Sequence, residues 1–419
     1  MQAGGGLEGR LEGRRVLFIS YNGMLDPLGQ TQVIPYLREL AKRGVQFTLL
    51  SFERGAAFAG DGVGKRDELQ RELREQGIEW HCLRYHQRPS VPATIYDVIA
   101  GIRKAKSLVR RNRIGMVHAR SHIPATIALA LKRSLGTKMI FDLRGLMAEE
   151  YVDAQHWRKD SLPYRITKAA ERRVFAETDA VVTLTERIWP IIQEWEGLRG
   201  RDVQHAVVPC CVDLSLFKFS EAERVRRRTE LRLGDKFTIV YSGSLDGWYL
   251  TEEMADFFAA FSRRRAGSHV VWLTNGSHER VKELMKSRGI AADGFSVLSV
   301  PARVVPSYLS AADAGLSFIK RCFSKLASSP TKNAEYLACG LPLIINAGIG
   351  DSDALVDEYN AGALLQDFTD TEYARVGSVI EKMAAEPGVR QNVRAIAERL
   401  FDLKTVGAER YASLYERVY

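Results

Sequence analysis

The sequence predicts an α/β protein made of two parallel-sheet domains, and three observations predict it. Short apolar runs, RVLFIS at 15–20 and FTIVYS at 237–242 among them, alternate with amphipathic helical stretches. Each of these two runs opens into a glycine-bearing polar loop, so the strand–loop–helix alternation starts twice along the chain. The length of 419 residues holds two domains of about 200 residues each.

Composition narrows the class. A hydrophobic share of 46% with 26% charged residues is that of a soluble globular protein. The longest mostly apolar run, 123–131, is far short of the ~20 residues that span a bilayer. Residues 1–14 are glycine-rich and patternless, and read as a disordered leader without the apolar segment of a secretion signal. Cys82, Cys210, Cys211, Cys322 and Cys339 are scattered with no C-x-x-C pair, which argues against a zinc site or disulfide framework and for a reducing cytoplasm. The net charge of +9 attracts polyanions: nucleic acid, anionic lipid or phosphorylated substrates.

In order, 15–20 is a strand, YNGMLDPLGQTQ a polar loop, 31–43 a helix and 45–51 a second strand. The dinucleotide fingerprint G-x-G-x-x-G is absent. GDGVGK at 60–65 imitates a phosphate loop and fails, because Ala59 stands for the first glycine and Arg66 for the Ser or Thr. The 94–113 helix carries Ile95, Ile99, Ile102 and Val109 on one stripe and a basic remainder in which Asp97 is the lone acid. It reads as a helix docked on the sheet with a solvated back, or as that helix with a basic face gathering on anionic lipid. Strands at 114–119 and 138–143 end in two polar clusters, Arg120 to His122 and Asp142 to Glu150, where open parallel sheets bind ligands. Asp142 and Arg144 read equally as a substrate group or as a buried structural pair.

The second half repeats the plan. The loop 243–249 follows its first strand, 270–274 is the next, and 314–319 delivers Lys320 to the strand ends. Then comes SKLASSPTKNAEYLACGLPLIINAGIGD at 324–351: a hydroxyl cap and proline, a helix, a glycine turn and a buried strand. Free amides at that helix start, with Ser329, Thr331 and Lys332, suit an anion such as a diphosphate, and Glu335 one turn in suits a diol. Asp351 to Asp353 imitates a metal-binding D-x-D but reads as a surface loop. Helices at 370–386 and 388–419 close the chain.

S-P-T-K-x-x-E-Y-L-A-C-G-L-P resembles the donor segment of retaining glycosyltransferases of the GT-B fold, family 4. V-H-A-R-S-H and F-D-L-R-G…A-E-E are similar to a subgroup in bacterial polysaccharide synthesis. The resemblance spans 15–419 and is strongest in the second half. It implies two Rossmann-like domains facing a cleft: an acceptor domain at 15–206, a crossover at 207–217, a donor domain at 218–395, and a last helix at 396–419 returning to the first. Pro209, Val212, Asp213 and Phe217 match the family's crossover, where Cys210 and Cys211 replace Asn and Gly.

By resemblance, Glu335 holds the ribose, Gly243 and Ser244 lie near the donor phosphates, Pro301 and Arg303 form the base-binding turn, and Gly29 with Gln30 face the sugar pocket. Two departures stand out. A second family glutamate is Ala327 here, and the Arg and Lys that usually follow the 243 loop are missing, which leaves Lys320, Arg321 and Lys332 for phosphate charge. Arg120 falls near a catalytic histidine of some relatives, with His122 beside it, and Asp142 and Arg144 join them on the acceptor side. The implied reaction is metal-free, cofactor-free sugar transfer with retention, from a nucleotide-diphosphate sugar to a glycan, a lipid-linked acceptor or another hydroxyl. Surface polysaccharide or glycoconjugate synthesis is the implied setting. The expected location is cytoplasmic, peripheral on the inner membrane face. Two alternatives stand beside it: a nucleotide-sugar 2-epimerase of the same fold, and a non-catalytic basic binding subunit. Nucleic acid is not expected, since the basic residues lack interleaved aromatics.

Overall fold

The computed structural model describes residues 11–419, which fold as two α/β units. One unit runs to Pro209 and takes back Leu403–Tyr419; the other is Cys210–Asp402. The leader expected at 1–14 lies outside the described residues over 1–10. Its remainder is packed: Leu11 is buried and the Gly13 amide donates to Gly44 O at 3.0 Å.

The first unit holds β1 (Arg15–Ser20), β2 (Gln46–Glu53), β3 (Ile78–Arg84), β4 (Met116–Arg120), β5 (Lys138–Asp142), β6 (Ala180–Thr183) and β7 (Gln204–Val207). Their order is β3-β2-β1-β4-β5-β6-β7, all parallel. The chain winds outward from β1 in one direction and from β4 in the other, so loops diverge between these strands and leave a crevice at their carboxyl ends. The connections β3 to β4, β4 to β5 and β5 to β6 all step the same way. Right-handed crossovers therefore put the helices Ser90–Asn112, His122–Leu135 and Leu162–Glu177 on one face.

The Ser90–Asn112 helix corrects a reading from the sequence. Its buried stripe is Ala93, Asp97, Gly101, Ala105 and Leu108, whereas Ile95 and Ile99 are exposed. Small residues let the helix axis approach closely: a Cβ at Gly101 would stand 2.6 Å from Ile127 Cδ1. The aliphatic spacing could not reveal this, because the close approach depends on what the helix lacks. GDGVGK, dismissed as a phosphate loop, opens the helix Asp61–Glu75.

The second unit holds β8 (Phe237–Ser242), β9 (Ser268–Leu273), β10 (Phe295–Leu298), β11 (Ala314–Ser317), β12 (Leu343–Asn346) and β13 (Gly362–Leu365), ordered β10-β9-β8-β11-β12-β13. Its strands divide between two cores by the period of two. Val240, Val271 and Ile345 enter one core; Ile239, Tyr241, Trp272 and Ile344 enter the other. Both faces are covered, so the strands read as continuous apolar runs. The winding again diverges between β8 and β11.

The helix after β11 is Thr331–Ala338. Its N-cap is Pro330 with no side-chain cap, contrary to the serine cap expected; Ser329 Oγ instead accepts from the Cys210 amide at 3.1 Å. Gly340 takes φ +71 just beyond the helix, the left-handed turn its lack of Cβ permits. Asp351 to Asp353 is not an open loop: it leads into the helix Ser352–Asp357, and Asp353 Oδ1 accepts from the Gly348 amide at 2.9 Å.

Candidate functional site

In the second unit the site forms where β8 and β11 diverge. The Thr331–Ala338 helix is fastened there by Tyr336, whose hydroxyl accepts from the Ser242 amide at 2.8 Å and donates to Leu316 O at 3.3 Å. A buried hydroxyl with both bonds made fixes the helix start against the end of β8. Gly315 makes room for that ring: a Cβ there would lie 2.3 Å from Tyr336 Cδ2.

Lys332 lies one turn earlier on the same helix and is buried. Its Nζ sits 3.5 Å from the Tyr249 ring centroid and donates to Tyr241 Oη at 3.3 Å. Burial lowers its pKa to about 7, and the Glu335 carboxylate only partly opposes this. Glu335 is half-buried, and burial pushes its pKa up to about 7 against the pull of Lys332. An ammonium held against two aromatic faces and one long hydrogen bond is under-solvated, which is the state an incoming anion relieves.

Gly243 adopts φ +151, and a Cβ there would meet Lys332 Nζ at 2.8 Å. The glycine is thus the gap through which the lysine reaches the loop. Gly243→Ala is expected to displace the ammonium and weaken binding of a nucleoside diphosphate by about tenfold or more, read by calorimetry. The Gly243 amide itself donates to Leu273 O at 2.9 Å, so of the two amides expected at the donor phosphates this one is already used. Ser244 is exposed, and its carbonyl accepts from Tyr241 Oη.

Lys320 is half-buried at the end of β11, its amide donating to Trp248 O at 2.8 Å. Ser329 and Thr331 are half-buried at the helix start. Pro301 and Arg303 lie exposed in the turn after the edge strand β10. Reading the sequence missed Lys325. It is buried, its Nζ 3.8 Å from the Trp248 ring centroid, in the short 3-10 turn that also carries Ala327. The signal was available: a lysine two residues before the position where the family glutamate is missing.

In the first unit the corresponding crevice lies at β1, β4 and β5, where Ser20, Arg120 and Asp142 are in register. Arg120 donates to Asn22 Oδ1 at 3.3 Å, and Arg144, at φ +55, stands 3.8 Å from Asp142. Asp142 points into the protein. Its Oδ2 accepts from Tyr411 Oη at 2.9 Å and faces His118 Nε2 at 3.3 Å, while His118 Nδ1 meets Tyr415 Oη at 2.7 Å. Burial lowers the His118 pKa, so the imidazole is neutral and its contact with Asp142 is a hydrogen bond. For Asp142 burial acts upward, but Arg144, His118 and Arg120 outweigh it and hold the carboxyl below its ordinary range. His122 gives its Nε2 to Glu171 Oε2 at 3.0 Å, both buried. Gly29 packs where a Cβ would lie 2.3 Å from Gly23 O, and exposed Gln30 donates to Met24 O at 2.6 Å. Asp97, the lone acid of the basic helix, was passed over: it accepts from Tyr21 Oη at 2.9 Å and pairs with His86 Nδ1 at 2.6 Å.

Residues 30–211 match the family model described as "Glycosyl transferase 4-like domain". The chain is similar in structure to sucrose-phosphate synthase from Thermosynechococcus elongatus, at TM-score 0.73 and 15% identity, with 96% of this chain and 98% of that one covered. HepE of Anabaena, solved with UDP-glucose, aligns at TM-score 0.67 and 16% identity, covering 96% of this chain and 99% of HepE. WaaG, a glycosyltransferase involved in lipopolysaccharide biosynthesis, aligns at TM-score 0.65 and 15% identity, covering 95% and 99%. A curated S-adenosylmethionine:tRNA ribosyltransferase-isomerase of Clostridium kluyveri is 38% identical over 81 residues, 18% of this chain and 24% of that protein. The chain thus spans about a quarter of the length of the curated relatives it matches. Residues 30–211 thus match a glycosyl transferase 4-like domain, and the whole chain shares the fold of these solved structures.

Proposed function

We propose that the protein transfers a sugar from a nucleotide-diphosphate sugar to a hydroxyl acceptor with retention at the anomeric carbon, without a metal ion or cofactor. The observation that carries this reading is the Lys332 ammonium, buried against Tyr241 and Tyr249 at the start of a helix whose Glu335 lies one turn on. Lys332 and the helix start would stabilise the departing diphosphate as its charge develops. Lys320 and Lys325 would supplement that charge in place of the basic pair missing after Gly243. Glu335 would accept from the ribose hydroxyls; among the described residues no hydrogen-bond donor engages its carboxylate. Arg120, with Asn22 and Arg144, would hold the acceptor. Surface polysaccharide or glycoconjugate synthesis, at the inner face of a membrane, is the setting this chemistry fits best.

The experiment is donor hydrolysis and a thermal-shift screen against nucleotide sugars. A tight donor raises the melting temperature in proportion to RT ln(1 + [L]/Kd), and slow hydrolysis without acceptor releases nucleoside diphosphate. Release of an epimerised nucleotide sugar would overturn the transfer reading.

The lowered Lys332 pKa adds a pH signature. A bound diphosphate favours the ammonium and raises that pKa, so donor binding above pH 7 takes up a proton. Calorimetry of UDP binding in buffers of different ionisation enthalpy should show uptake of ~1 proton at pH 8 and much less at pH 6. Affinity should fall as pH rises above about 7, and Lys332→Met should abolish the uptake.

A further inference from the structure

The stretch 143–161 joins β5 to the Leu162–Glu177 helix and stays at the carboxyl end of the first sheet. It leaves β5 at that end. The Leu162–Glu177 helix runs back against the strands to reach β6 at Ala180, so the start of that helix lies at the carboxyl end too. The middle of the stretch is the short helix Met147–Asp153. Glu149 moors it: Oε1 accepts from Tyr164 Oη at 3.2 Å and pairs with Lys168 Nζ at 3.1 Å.

This helix ends in a turn that glycine would make more easily. Gln155 takes φ +60, the left-handed conformation that follows many helices. Its amide donates to Val152 O at 2.8 Å, and the His156 and Trp157 amides both donate to Tyr151 O, at 2.9 and 3.0 Å. The chain is thereby folded back over the last helical turn. The Trp157 ring comes to lie on the Tyr151 ring, with centroids 4.2 Å apart and planes 29° apart, and His156 meets Tyr151 edge-on at 6.0 Å. Tyr151 is 42% exposed, His156 is exposed and Trp157 is half-buried. Among the described residues neither the Tyr151 hydroxyl nor the Trp157 indole N–H has a hydrogen-bond partner.

Stacked rings that each carry one polar group present an apolar face with hydrogen-bonding groups at its rim. A pyranose has the matching halves: a face of C–H bonds and a rim of hydroxyls. Charge selects the same ligand. Residues 147–160 carry four acids, Glu149, Glu150, Asp153 and Asp160, against two bases, Arg158 and Lys159, in a chain of net charge +9. That local sign disfavours a polyanion, whether nucleic acid or anionic lipid, and leaves a neutral sugar unopposed. Position agrees. A helix advances about 1.5 Å per residue, which sets Tyr151 about 6 Å beyond Met147, a distance that one further sugar of an acceptor chain spans.

We propose that Tyr151 and Trp157 form an acceptor subsite for a neutral sugar ring, so that the acceptor is a glycan of at least two residues. The sugar that receives the transferred group lies toward Arg120, and its neighbour in the chain stacks on the aromatic pair. This deepens the proposed function and rests on it in one respect: that the crevice at Arg120 holds the acceptor.

The test uses the full chain on an array of neutral and uronic-acid oligosaccharides, with each hit titrated by calorimetry beside the methyl glycoside of its terminal sugar. At least one neutral oligosaccharide should bind, and its methyl glycoside should bind about tenfold or more weakly. Tyr151→Ala with Trp157→Ala should weaken the oligosaccharide by about tenfold or more, whereas Tyr151→Phe, which keeps the ring, should stay within about threefold of wild type. Tyr151→Ser alone keeps the test decisive if the double variant fails to fold: the position is exposed, so affinity should fall with an unchanged melting temperature. Absence of any neutral oligosaccharide binding, equal affinity for the methyl glycoside, or wild-type affinity in the Tyr151→Ser protein overturns the proposal. So does binding confined to the uronic-acid glycans. The nucleotide-sugar thermal shift is measured on the same samples. A retained shift with no glycan bound fails this inference alone, and glycan binding without a shift fails the donor reading alone.

Discussion

Lys332→Met is expected to lower sugar transfer by ~10²–10³-fold while leaving the melting temperature unchanged or higher. The two halves of that result have one cause. In the free protein the ammonium is buried, with aromatic rings and a 3.3 Å hydrogen bond in place of water. Its lowered pKa means that folding disfavours the charged form, at a cost on the order of a few kcal/mol at neutral pH. Methionine keeps the length and apolar body of the side chain and removes the disfavoured charge, so the fold gains. On the proposed reading the departing diphosphate loses a cation, so the reaction suffers. Glu335→Gln should behave differently. It keeps a carbonyl oxygen for a ribose hydroxyl and loses only the charge, so KM for the donor rises while kcat falls less. Steady-state kinetics on both variants, with melting curves alongside, check the pair. Near-normal turnover in Lys332→Met would remove the residue from the mechanism.

The fold was legible because its signal is periodic and repeated. Strands buried on both faces read as apolar runs, and the alternation restarting at Phe237 announced the second unit. The Lys332–Glu335 segment was legible as a helix because its parts are local: the two residues lie three apart on one helix, and Gly340 ends it. What escaped the sequence depends on contacts between distant segments. Lys325 acquires its partner only when the loop after β8 brings Trp248 to it. The buried stripe of the Ser90–Asn112 helix was misread because small residues, alanine and glycine, make the closest packing and give no hydrophobic signal. Asp97 was visible as a lone acid in a basic helix, yet its partners Tyr21 and His86 come from the ends of two other strands. The role of Asp142 was open for the same reason, because the tyrosines that engage it arrive from residues 411 and 415.

Asp142→Ala is expected to cost about 3–5 kcal/mol of stability in the first unit. The carboxylate is nearly inaccessible, accepts from Tyr411, faces neutral His118 and stands near Arg144. Removing it leaves the Tyr411 hydroxyl, one His118 nitrogen and the Arg144 charge with less compensation in a dry environment. The Leu403–Tyr419 segment is bound to the sheet of this unit through that network, together with Arg43 to Glu409 at 2.6 Å and Tyr419 Oη to Arg15 O at 2.6 Å. Loss should therefore show first as faster amide exchange in the Glu409–Val418 helix and a lower urea midpoint. Tyr411→Phe, which deletes one bond and keeps the ring, should cost about 1–2 kcal/mol. Acid should act in the same direction. The Asp142 carboxyl is held below its ordinary range, so its stabilisation is present above a pH of about 4 and is lost as pH falls further. Neutral His118, its pKa lowered, adds a loss that begins below a pH of about 6.5. If Asp142→Ala instead kept its exchange pattern and midpoint while losing activity, the carboxylate would belong to the substrate and the tyrosine network would be incidental.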